Sequence, residues 1–294
     1  MVFIGYSCIY YDEWKFTMTK SQKLLIISLV LSVICGLLCA LVRAGRVFDD
    51  PFPAFYFVLI VCGVLIAAAS YFTAVQSKYD GREGLAVYES EDASRISSDS
   101  HSMPVTFFML LGAGLTAIAC LRGFVTRAST LDIINALMIF ACAFTLALRA
   151  LNKEISEKTG VFSLFPISYL CLYLLMFYRD NAKGANLDAY GAQTLTLAVL
   201  IFAAYFNCAV KFESRPAVFR YMSGLMAVTV FISELVGYLV LPSTLTSADP
   251  AFFLTMCGGF AIYFASSLFT VPLRLFKAKT NAPKASAADN SDRS

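Results

Sequence analysis

Eight uninterrupted apolar runs fill nearly the whole chain: Leu24–Val42, Pro51–Ser77, Ser102–Leu121, Ile133–Leu148, Thr159–Tyr178, Ala189–Val210, Tyr221–Pro242 and Pro250–Leu273. A spanning helix needs about 20 mostly apolar residues at about 1.5 Å rise each, and these runs meet or approach that length. They are hydrophobic all round rather than along one stripe, which suits helices that face lipid. A membrane barrel would instead show alternating segments of about ten residues, and none occur. The expected fold is all-α, a polytopic integral membrane bundle of about eight transmembrane helices.

Composition agrees. The 294 residues are 59% hydrophobic and 15% charged, against about 25% charged in soluble proteins. Taken in chain order, the segments outside the runs hold 3, 2, 3, 2, 3, 2, 3, 0 and 5 Lys and Arg. The richer alternate segments mark the cytoplasmic side, so both termini are expected in the cytoplasm. The expected location is the cell (plasma or cytoplasmic) membrane, multi-pass. This asymmetry accounts for the net charge of +3, and no nucleic-acid partner is implied.

The expected organisation has three parts. Residues 1–22 form a cytoplasmic N-terminal segment, with Met18 as the expected native start because a short basic stretch and the first helix follow it. Residues 23–276 form the membrane domain, including a flexible acidic cytoplasmic loop at about 78–102. That loop and the tail at 277–294, expected to be disordered, lack the apolar residues to build a core. The first run exceeds the usual length of about 7–15 residues for a signal-peptide core. Ile34 before Cys35 is too large for a lipoprotein cleavage site, so this helix reads as a retained anchor. The fourth run is the shortest. Ser129 and Asp132 have capping-box spacing, which predicts that its helix begins before Ile133.

Ala68–Val75 and Ala203–Val210 read alike. The helices after them open with Pro104, Phe107 and Gly112, and with Pro216, Phe219 and Gly224, at the same spacing. This suggests a duplication into two parallel four-helix halves, as in some transporters. Pro166 and the Gly258-Gly259 pair are the expected points of irregular backbone.

Only one run contains a charge, Glu234. An ionisable group in hydrocarbon is costly and marks a functional site by default. Stepping by three and four residues places it on one face with Gly224, Ala227 and Gly237, small residues that let helices approach closely. That face is expected to point into the bundle, making Glu234 a candidate ion- or proton-binding residue. No charged partner is evident in the other runs. Asn135 and Asn207 are its candidate polar neighbours, and the structural alternative is a glutamate simply hydrogen-bonded to one of them or to a tyrosine. The small-residue pairs Gly112 with Thr116 and Gly63 with Ala67 read as internal packing. Arg122, Arg127 and Asp132, and then Arg179, Asp180, Lys183 and Asp188, read as solvated turn residues.

The nine cysteines include no CxxC pair and read as packing residues. The single histidine, His101, removes histidine-clustered metal sites, and no GxSxG, HExxH or GxxxxGK[ST] occurs. No enzyme, cofactor or metal is implied. The expected function is transport of a small solute or ion, with Glu234 as the intramembrane ionisable site and the lipid bilayer as the constant partner. The alternative is a non-catalytic membrane scaffold or sensor, with a protein partner at the cytoplasmic loop 78–102 and the tail.

Overall fold

The structure, a computed structural model, describes residues 20–45, 51–79, 97–100, 103–126, 130–151, 154–155, 161–181, 187–212, 217–242 and 249–272. Each apolar run forms a helix, because in hydrocarbon the backbone must satisfy its hydrogen bonds within the segment. The helices are α1 (Lys20–Arg43), α2 (Pro51–Tyr79), α3 (Met103–Thr126), α4 (Thr130–Leu151), α5 (Phe165–Asn181), α6 (Leu187–Phe212), α7 (Ala217–Val240) and α8 (Pro250–Ser267). All eight are long and apolar enough to cross a membrane. As the capping spacing predicts, α4 begins three residues before Ile133.

The first helix turns small and polar side chains inward and large apolar ones outward. The buried face of α1 runs through Ser21, Leu25, Ser28, Ser32, Cys35, Gly36, Cys39 and Arg43, while Ile27, Val30, Ile34 and Leu38 are exposed. Likewise Phe57 of α2 is 69% exposed and Leu239 of α7 is 70% exposed. Surfaces of this kind are stable against lipid and would associate in water. Helix association in lipid instead relies on close packing and interhelical hydrogen bonds. Thr229 Oγ1 of α7 donates to Ser32 O of α1 at 3.1 Å, beside Gly36, where a β-carbon would lie 2.7 Å from Thr229 O.

Two apolar cores meet along α6 and α7. One joins α3, α4, α5 and α8 to them, the other joins α1 and α2 to them. The most enclosed helix is α8, with 61% of its best spanning window buried, against 28% for α5. Next to it runs α7, the helix that carries Glu234, and the two pack together. Gly112 and Thr116 of α3 pack inside the bundle against Gly259 of α8. At Gly63, by contrast, a β-carbon would meet nothing within 4 Å, so that position is open rather than packed.

Several sequence expectations are corrected. The eighth helix ends at Ser267 rather than near Leu273. Pro272 cannot continue a helix, and Arg220 of α7 donates to the Ser267 carbonyl and, at 2.9 Å, to Thr270 Oγ1. A cation at a helix C-terminus satisfies its last carbonyls and complements its dipole. Gly258-Gly259 lies in unbroken helix. Pro166 sits in the first turn of α5, after the 3-10 turn Val161–Leu164, where a missing N–H costs nothing. The packing does not follow the proposed duplication. α1 packs along α7 and α3 along α8, whereas the equivalent pairs, α5 with α3 and α7 with α4, form no comparable interface.

Four residues of the loop at about 78–102 form a strand. Strand β1 (Ser97–Ser100) pairs antiparallel with β2 (Glu154–Ile155) and β3 (Val271–Pro272). The order is β2-β1-β3, a short clasp that leaves the bundle all-α in class. These strands follow two, four and eight helices, so they share one face of the bundle only if the number of spans between them is even. The remainder of 78–102 beyond Tyr79, the tail at 277–294, and residues 1–17 with Met18 lie outside the described residues.

At the opposite end, Arg122 of α3 donates through Nε to both carboxylate oxygens of Asp249, at 2.9 and 3.1 Å. Asp249 also caps α8 by accepting from Phe252 N at 3.1 Å. Arg122 therefore has a partner outside its own loop, the N-cap residue of α8. Its side chain is half exposed, and solvent screens such pairs. Asp249→Ala should thus destabilise mainly through the lost cap, by about 1 kcal/mol, while Asp249→Asn keeps most of the stability. Thermal unfolding in detergent, followed by loss of the monodisperse chromatographic peak, measures both. Equal losses for the two variants would show that the ion pair dominates.

Candidate functional site

Glu234 lies six residues before the end of α7, roughly 9 Å inside the helix at 1.5 Å per residue. It is 1% exposed, and Ala227 on the same face is fully buried. Gly224 and Gly237 are buried as well, so the small-residue face does point into the bundle.

Its charged partner is Arg43, the last residue of α1. Arg43 Nη1 donates to Glu234 Oε2 at 2.6 Å, and the two side chains are 7% and 2% exposed. An arginine at a helix end ordinarily extends toward the interface. Here the direction of the side chain decides otherwise, because helical side chains lean toward the N-terminus and so back into the bundle. Gly36, one heptad earlier, brings α1 against α7 closely enough for the guanidinium to reach.

The second carboxylate oxygen is also engaged. Thr196 Oγ1 of α6 lies 3.1 Å from Glu234 Oε1 and 3.0 Å from Ala192 O, one turn back on its own helix. Three helices, the consecutive α6 and α7 and the distant α1, thus converge on one carboxylate. A buried pair of this kind pays a large desolvation cost, and it is poor evidence of a design for stability alone.

The expected polar neighbours are elsewhere. Asn207 is buried on α6, eleven residues beyond Thr196, or roughly 16 Å along the helix. Asn135 belongs to α4, on the far side of the other core, and its buried Oδ1 has no hydrogen-bond partner among the described residues. Neither joins the Glu234 site. Residue pattern alone missed Arg43 and Thr196. Arg43 was counted with the extramembrane charges, although it falls seven residues after Gly36 on the small, polar stripe of α1. Thr196 carries no distinguishing spacing.

Among the described residues no cluster of three or more His, Cys, Asp or Glu could hold a metal ion. Fold and site define a multi-pass helical membrane protein with a buried arginine–glutamate pair between α1 and α7. Comparison with protein-family models, curated proteins and solved structures finds no match.

Proposed function

We propose that this chain is a transporter of a small solute or ion, in which Arg43, Glu234 and Thr196 form a proton-responsive switch. The observation that carries this reading is the Thr196 hydroxyl, placed between two acceptors at 3.0 and 3.1 Å. A hydroxyl has one proton and two lone pairs. With Glu234 ionised, Thr196 donates to the carboxylate. With Glu234 protonated, the carboxyl O–H turns to Thr196 Oγ1, which then donates to Ala192 O. Both states leave that oxygen satisfied, but only the ionised one pairs its charge with that of Arg43.

Proton uptake therefore removes the charge pairing that draws Arg43 to Glu234, and an arginine at the end of α1 can extend to the membrane surface. The α1–α7 contact would loosen with it, a two-position element of the sort alternating access requires. The test is proton flux into proteoliposomes under an imposed potassium diffusion potential, read by an internal pH dye. Wild type should carry flux, and Glu234→Gln, reconstituted at equal density, should abolish it. Undiminished flux in the variant would remove Glu234 from the mechanism. No flux in wild type would reject transport of protons and favour the scaffold or sensor reading, whose physical support is the β1–β3 clasp on the loops.

A further inference from the structure

A groove of about 560 Å³ separates α2 from the α5–α6 pair, at the end of the bundle that also holds the ion pair. That volume lies within the range of about 300–1,000 Å³ found for small-molecule sites. Leu59 and Leu195 lie along its walls, with Tyr56, Tyr178 and Tyr190 toward the helix ends and Ala198 deepest along α6. From Tyr190 to Ala198 it extends roughly 12 Å along the helix. Ile60 is 66% exposed and Tyr178 57% exposed, so the groove opens sideways, onto the surface that faces the bilayer.

We infer that this groove binds one hydrocarbon chain of a bilayer lipid. Among the described residues the lining contains no charged side chain, so a charged solute stripped of water against them would find no counter-charge. Its polar atoms are tyrosine hydroxyls near the helix ends, where aromatic residues sit at headgroup level, with Thr194 one turn inward from Tyr190. A lipid entering from the side would keep its head at that level and lay one chain along α6. Tyr56 sets its hydroxyl against Gly191, where a β-carbon would collide with it. Access thus runs past a ring edge, which suits a flexible chain better than a rigid fused-ring lipid. The inference does not depend on transport.

The test uses the whole protein in phosphatidylcholine liposomes containing a trace of phosphatidylcholine with a diazirine on one acyl chain. After illumination, mass spectrometry should find the segments 56–60 and 190–198 labelled several-fold above the open face of α2 at Leu65 and Phe72. Ala198→Trp, which fills the groove, should remove the groove label and leave the label at Leu65 and Phe72 unchanged. Ile60→Trp, at an exposed rim where folding is not at stake, should reduce it too, and Leu65→Trp should not. Uniform labelling of exposed faces, or a groove label indifferent to both groove variants, would overturn the site. Labelling by a diazirine sterol in preference to the phospholipid would overturn the assignment to an acyl chain.

Discussion

Arg43→Met is expected to be among the most damaging single substitutions in this protein, costing about 3–5 kcal/mol, because it strands a buried carboxylate without its counter-charge. Glu234→Gln should cost less. Arginine sits at the last residue of α1 and can withdraw to the interface, whereas Glu234 lies within α7 and has nowhere to go. The double variant Arg43→Met with Glu234→Leu should regain most of the loss, since two apolar side chains replace an ion pair of high desolvation cost. Thermal or SDS unfolding of wild type, Arg43→Met, Glu234→Leu and the double variant in one detergent completes the cycle. Additive losses, with no recovery in the double variant, would mean that the two residues are not coupled. The same cycle separates folding from function, because a stable double variant without flux would place the pair in the transport step.

Gly259→Leu should be comparably severe, for a different reason. A β-carbon at Gly259 would lie 2.8 Å from Gly112 O and 2.9 Å from Thr116 N, both backbone atoms of α3. Backbone cannot rotate aside as a side chain can, so α3 and α8 must separate, and the cost belongs at or above the upper end of the about 1–3 kcal/mol typical of overpacking. Gly63→Ala is the matched control. Nothing lies within 4 Å of that position, and replacing a mid-helix glycine with alanine should stabilise by roughly 0.5–1 kcal/mol. If both variants melt at the wild-type temperature, the close α3–α8 approach is wrong.

Much of the architecture was legible because each part of it depends on local sequence. Eight runs give eight helices, the early start of α4 follows from its cap spacing, and three- and four-residue steps from Glu234 identify the buried face of α7. The failures share a cause. The end of the eighth run reads as helix, yet Arg220, on another helix, holds the carbonyl of Ser267. The repeated pattern around Pro104 and Pro216 looked like a duplication, yet apolar helices resemble one another whatever their neighbours, and the packing pairs them differently. Asn135 and Asn207 looked like partners of Glu234 only because few other polar residues stand within the runs.

Hydropathy by itself determined that this chain builds eight helices long and apolar enough to cross a bilayer, with one acidic residue inside the apolar runs. Those properties depend on transfer of each segment from water to hydrocarbon, which is additive along the chain. What surrounds Glu234 was decided by the tertiary structure alone. Its partner is 191 residues away in sequence, at a helix end where an arginine ordinarily meets solvent. Only the close approach of α1 and α7 at Gly36, and of α6 at Thr196, turns a lone carboxyl into a paired one.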